Sequence, residues 1–386
     1  MIRLSFVLLV AVWQQTSYQD ALREARRLGE QQRVEEALAS AEALVASEPR
    51  RPEGYFLLGD LYRRQWRPSE AVEVFSRGLD ETKGQAADLH RDIAVTYAEV
   101  HVWDRALEHV EHALSKKPAH APSLYVKAMV LSQTSRPSEA LRVYEALSAN
   151  EPDNASFHFR IGEVHESVNR MEKAESAYRR ALELDPATRG ARFRLGKMLV
   201  ATDQLQKAER QMARAVHLSP NHAESHLELA QTLAALGRTT KARYHFERSV
   251  ELDPSLANAY LSYGNFAAQQ GERVHGQELL AKFQQLSAIE QQIANLMGAV
   301  DFAPEDPEAK DKLVSFLIEH SQFPLALRAA QRYQLANPEA VHYHLLAARI
   351  YSAWGRREDA RRTLERAAVI FPDSAEVRRA LEGGTR

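Results

Sequence analysis

The sequence predicts an all-α fold, an α-solenoid of stacked helix pairs, and three observations carry that expectation. Prolines fall at 118, 152, 186, 220 and 254, each 34 residues after the last, and Pro304, Pro338 and Pro372 keep the same step. The stretches that precede several of them repeat as well, as ALELDP, AVHLSP and SVELDP. A residue pair also recurs in mid-period: Glu139-Ala140, Lys173-Ala174, Lys207-Ala208, Lys241-Ala242 and Asp359-Ala360. A fixed period of this length marks a repeat array, in which one unit cannot bury its own apolar face and must stack on the next.

Residues 1–17 stand apart from the array. Arg3 is followed by an apolar run from Leu4 to Trp13 and then by polar residues, the pattern of a signal peptide. The run is shorter than the roughly 20 residues that span a bilayer. No small-x-small pair stands between Ala11 and Tyr18, so the competing reading is an apolar cap on the first unit or a short membrane-associated tail. The expectation is export, to the periplasm or outside the cell in a bacterium, with a cytoplasmic chain as the alternative. No other segment is apolar enough to cross a membrane.

Units start near residues 18, 52, 87, 121, 155, 189, 223, 257, 307 and 341. Residues 18–306 then hold eight units and residues 307–372 two more. In the unit from Ala155 to Pro186, Ile161 and His165 share one face of a first helix at i, i+4 spacing. Ala174, Tyr178 and Ala181 form the matching face of a second helix, and Gly162 and Ala174 are small where the pair approaches closely. Gly237, Gly271 and Gly355 end first helices, where glycine accepts a left-handed turn. Pro68 and Pro137 open second helices, where a missing N–H costs nothing. Asp-Pro or Ser-Pro then breaks the chain before the next unit.

These features resemble the tetratricopeptide repeat (TPR) family, whose unit is two antiparallel helices, over roughly Tyr18 to Pro372. The resemblance implies a right-handed superhelix of about ten helix-turn-helix units with a concave groove lined by the first helices. It also implies that the fifth residue of each unit points into that groove: Leu22, Phe56, Arg91, Tyr125, Phe159, Phe193, Leu227, Leu261, Asp311 and Leu345. One turn on lies a mostly polar row: Arg26, Asp60, Val95, Met129, Glu163, Lys197, Gln231, Asn265, Ser315 and Arg349. The expected partner-binding groove is Phe56, Tyr125, Met129, Phe159, Glu163, Phe193, Lys197, Leu227, Gln231, Leu261 and Asn265. An apolar stripe beside a polar row suits a peptide or partner helix. The competing reading is that the rings only pack against the neighbouring first helix. The sixth residues vary (Arg23, Leu57, Asp92, Val126, Arg160, Arg194), so no asparagine ladder is present.

One interval breaks the period. Pro254 to Pro304 is 50 residues, one period plus 16. Leu279, Phe283, Leu286, Ile289, Ile293, Leu296 and Val300 recur at three- and four-residue steps, which predicts a second helix in unit eight extended over residues 272–298 and stopped near Gly298. Its stripe either packs on its own solenoid or leaves Ile289, Ile293, Leu296 and Met297 for a partner or second copy. Residues 373–386 read as a capping helix and tail, with Val377 and Leu381 covering the last unit and Gly383-Gly384 ending it.

Composition narrows the function. The 386 residues carry a formal charge of −2 with acids and bases interleaved, which argues against nucleic acid. The chain has no cysteine, which excludes disulfides, a thiol nucleophile and thiolate metal sites. Fifteen histidines invite a metal, but His109 and His112, and His342 and His344, have no evident third ligand in sequence. His90, His158, His226 and His344 instead share the fourth position of their units, where the family resemblance implies a bulky, partly buried residue. No HExxH, GxSxG, GxGxxG or phosphate loop occurs, and the repeats leave no segment of catalytic size. The expectation is a non-catalytic protein-binding scaffold without cofactor or metal, binding a protein or peptide. The alternatives are an assembly or homo-oligomerisation subunit that uses the extended helix, and an accessory module that recruits an enzyme.

Overall fold

The computed structural model describes residues 18–84 and 86–383. The signal-peptide reading of residues 1–17 lies outside the described residues, as does Gly384. Among the described residues the chain is helical throughout and has no strand: α1 (residues 18–30), α2 (Val34–Ser47), α3 (Pro52–Arg64), α4 (Pro68–Glu81), α5 (Ala87–Glu99), α6 (Trp103–Lys116), α7 (Ala121–Gln133), α8 (Pro137–Asn150), α9 (Ala155–Ser167), α10 (Met171–Leu184), α11 (Arg189–Ala201), α12 (Leu205–Leu218), α13 (Ala223–Ala235), α14 (Thr239–Leu252), α15 (Ala257–Gln269), α16 (Arg273–Phe302), α17 (Pro307–Glu319), α18 (Phe323–Ala336), α19 (Val341–Ala353), α20 (Arg357–Ile370) and α21 (Ala375–Gly383). First helices from α3 to α19 have 13 residues and second helices 14, except α16 with 30.

Small residues set how closely each pair packs. Counting from the first residue of a unit, position 20 is Ala37, Ala71, Ala106, Ala140, Ala174, Ala208, Ala242, Gly276, Ala326 and Ala360, every one buried. Position 8 answers it with glycine or alanine in most units. A Cβ on Gly162 would lie 2.5 Å from the Tyr178 ring, and one on Gly59 would lie 2.2 Å from the Phe75 ring. Aromatic rings therefore occupy the space that these glycines vacate.

The hairpin turns are equally regular. Position 15 is left-handed in every unit: Gln32, Trp66, His101, Ser135, Asn169, Asp203, Gly237, Gly271, Ser321 and Gly355 all have positive φ. Only three of them are glycine, so the other turns hold a backbone that L-residues adopt at a cost. Gln32, exposed with φ 60°, is the simplest to relieve. Gln32→Gly is expected to raise stability by about 0.5–1 kcal/mol, read as a higher denaturation midpoint.

The units are tied across their proline breaks. His158 Nε2 donates to the Pro152 carbonyl at 3.0 Å, His226 Nε2 to Pro220 at 3.1 Å and His344 Nε2 to Pro338 at 2.9 Å. Arg192 Nε does the same to Pro186 at 2.9 Å. All four donors stand at position 4 and reach back six residues, to the carbonyl of the proline that follows the preceding helix.

The chain divides into two compact bodies, one of Met1–Thr134 with Leu317–Arg386 and one of Ser135–Phe316. In the first body α18 and α20 meet α2 and α4 although hundreds of residues separate them. Arg366 bridges Glu70 at 2.6 Å and Glu73 at 2.8 Å, Arg362 reaches Glu35 at 3.0 Å, and the Gln331 amide donates to the Trp66 carbonyl. In the second body α16 packs on α15 through its first half, with Leu279 buried and Leu280 against Gly264. At 1.5 Å per residue α16 is about 45 Å long. It runs through Gly298 to Phe302 and does not stop at residue 298, because an exposed glycine inside a helix costs only about 1 kcal/mol relative to alanine.

Candidate functional site

The faces of the first helices were the expected site, and in the first body they form a recess. Arg26, Gly29 and Glu30 from α1, Phe56, Asp60, Arg63 and Arg64 from α3, and Arg91 and Asp92 from α5 line a cavity of ≈ 390 Å³. Phe56 is half-buried and packs onto the core of α1–α5, with one side left to the cavity. The walls alternate in sign. Arg64 pairs with Asp60 at 2.8 Å, and Arg91 pairs with Asp92 at 2.8 Å and Asp88 at 2.9 Å. Burial holds the Asp92 carboxyl above the ordinary aspartate value, against the pull of Arg91. Arg26 makes no ion pair among the described residues and offers its charge to the cavity.

In the second body the predicted aromatic row is largely seam. The Phe159 ring lies where a Cβ on Gly190 would be, 2.6 Å away, and stands 5.8 Å from the Tyr178 ring. Phe193 packs against the core of α13–α15, with its ring 5.7 Å from His222 and Lys197 Nζ 5.7 Å above it. Leu227 is buried at 6% exposure and presents no surface to a partner, because the α13–α15 core closes over it. Leu261 is half-buried, as are Tyr125 and Met129 of the first body, Met129 on the core of α5–α7. On the extended helix, Ile289, Ile293 and Leu296 are half-buried and Met297 is 43% exposed.

The polar row does something the sequence reading missed. At three joints position 9 of one unit faces position 6 of the next. Glu163 faces Arg194 at 4.0 Å, Lys197 meets Glu228 at 3.4 Å, and the Gln231 amide donates to Ser262 Oγ at 2.8 Å. Glu166 adds a bond to Arg194 at 3.1 Å and accepts one from the Tyr178 hydroxyl. Burial together with that carboxylate pushes the Tyr178 phenol far above its ordinary pKa. The signal was present as complementary residues 31 apart, hidden because each row was read alone. Asn265 remains exposed at the end of this ladder.

The histidines make pairs. His90 Nδ1 lies 3.3 Å from His109 Nδ1, and His226 Nδ1 lies 3.0 Å from His245 Nδ1. Both pairs join position 4 to position 23. Among the described residues no group of three or more His, Asp or Glu side chains is placed to hold a metal ion.

Comparison with known proteins rests on these repeats. The profile of the tetratricopeptide repeat family matches residues 22–86, 125–188 and 193–257, half of the chain. The chain belongs to the tetratricopeptide repeat family. No curated protein matches it. Solved TPR-like structures resemble parts of it. YrrB, described as a TPR protein with an unusual peptide-binding site, is 24% identical and covers 47% of this chain and 93% of its own, with a TM-score of 0.41. Pseudomonas aeruginosa PilF is 19% identical over 53% and 97%, with a TM-score of 0.47. Human IFIT1, solved as a dimer with m7Gppp-AAAA, is 14% identical over 90% and 89%, with a TM-score of 0.46.

Proposed function

We propose that this TPR protein is a non-catalytic scaffold that holds a peptide or partner helix along its first-helix faces, with the recess of α1, α3 and α5 as its main seat. The observation that carries this reading is the recess itself. It joins an apolar floor at Phe56 to charged walls and an arginine, Arg26, that makes no ion pair among the described residues. Such a site grips one apolar anchor and one acidic residue of an extended segment. In the second body Phe159 and Phe193 stiffen the joints between units.

A displayed random-peptide library panned on the full chain tests it. Enriched peptides are expected to carry an acidic residue beside an apolar one, and to bind Phe56→Ala and Arg26→Glu at least tenfold more weakly than wild type. Unchanged binding by both variants would overturn the assignment. The basic, apolar and polar sequence pattern of residues 1–17 supports placing the scaffold in the cell envelope. Fractionation of bacterial cells expressing the chain with and without those residues checks this, with recovery of both forms in the cytoplasm as the contrary result.

A further inference from the structure

Two features of the molecule complement each other and neither belongs to the first-helix recess. The first is a cavity of ≈ 790 Å³ between α19, α20 and α21. Ala375 stands 34 residues after Val341, so α21 occupies the place of a next first helix. The cavity lies against it. Leu345, Ala360 and Leu364 form its apolar floor, and Arg349, Arg357 and Arg361 stand around it. Glu365 also lines it and pairs with Arg361 at 3.5 Å. Arg357 is exposed and makes no ion pair among the described residues.

The second feature is the far end of α16. Phe302, its last residue, is 92% exposed and Met297 is 43% exposed. Residues 283–309 contain Glu290, Asp301, Glu305, Asp306 and Glu308 and no lysine or arginine, in a chain that elsewhere interleaves its charges. Asp306 Oδ1 accepts the Glu308 N–H at 2.9 Å, whereas Asp301 and Glu305 make no ion pair among the described residues. An exposed phenyl group on an acidic tip matches an apolar cavity with an arginine rim, in charge and in apolarity alike.

We propose that the α16 tip of one molecule seats in the α19–α21 cavity of a second copy. Phe302 enters the apolar floor with Met297 beside it, and Asp301 and Glu305 meet Arg357. The two surfaces are different patches, so the contact is heterologous and each molecule retains one unused tip and one unused cavity. Association therefore continues beyond a dimer as concentration rises. Because opposite charges face each other at a partly exposed rim, added salt weakens it.

Sedimentation velocity of the full chain from about 1 to 100 µM tests this. The wild type is expected to gain mass steadily with concentration and to lose at least half of that gain in 0.5 M NaCl, about five times a low-salt buffer. Phe302→Asp, which spoils the tip, and Arg357→Glu, which spoils the cavity, are each expected to remain monomeric. Both residues are exposed, and circular dichroism confirms that the variants keep their helices. Mixed in equal amounts the two variants are expected to form a dimer and nothing larger, since only one intact tip and one intact cavity can meet. A wild-type chain that stays monomeric at 100 µM overturns the proposal, as does association that survives either substitution or a mixture that stays monomeric.

Discussion

Gly59→Ala is expected to destabilise the first body by about 2–3 kcal/mol, as overpacking of a closed core does. The added Cβ would lie 2.2 Å from Phe75 Cε1 and 2.3 Å from Cζ. Phe75 is 1% exposed and wedged among Tyr55, Leu58, Leu89 and Ile93, so its ring has nowhere to retreat. Gly298→Ala has the opposite sign. Nothing lies within 4 Å of its Cβ position, and it sits inside α16. There alanine is expected to add about 0.5–1 kcal/mol through helix propensity alone. Stacked repeats need not unfold in one step. Amide exchange, read separately in α3–α4 and in α16, is therefore the measurement. Equal protection changes at the two glycines would contradict this account.

The second large effect is a loss of stability in mild acid. His226 Nε2–H donates to the Pro220 carbonyl, so in the neutral ring its Nδ1 accepts, and His245 Nδ1–H must be the donor across 3.0 Å. A second proton on His226 would set two N–H groups against each other. Burial, and then the neighbouring histidine, pushes His245 down to about 4; burial and His90 do the same to His109. Lys241 near His245, and Arg105 and His112 near His109, add in the same direction, while Glu108 opposes it. Unfolded histidine titrates near 6.5, so between about 6.5 and 4 the unfolded chain binds more protons than the native one. Stability is then fully present above about 6.5 and falls as pH drops toward 4. Both pairs are partly open to solvent, which limits the effect to roughly 1–2 kcal/mol per pair. Urea midpoints at pH 7.5, 6 and 5 should fall in order for wild type, and the slope should shrink by about half in His109→Gln/His245→Gln. A slope that is unchanged in the double variant would remove the histidine pairs as its cause.

Much of this architecture was legible because it is local. Pro68 and Pro137 start α4 and α8, and Gly237, Gly271 and Gly355 hold the left-handed turns that a glycine marks. The 16 extra residues between Pro254 and Pro304 reappear as the 16 by which α16 exceeds the other second helices. What escaped depends on pairs. Gln32 and Trp66 carry no local sign of a left-handed turn, because their tertiary hairpins impose it. That Gly190 of the next unit makes room for the Phe159 ring was visible from neither position alone. The Arg366 contacts to Glu70 and Glu73 join α20 to α4, which no window of sequence contains.

The rungs from position 9 to position 6 also give the array a reading order. Glu163 accepts a base from the next unit, and Lys197 accepts an acid. Excising residues 189–222 would preserve the period and every helix, yet would bring Glu163 opposite Glu228. Inserting a second copy of the same stretch would set Lys197 against Arg194. At these two joints, units that look interchangeable by length and fold are thus addressed by charge, and shuffling them would cost adhesion there without breaking any single unit.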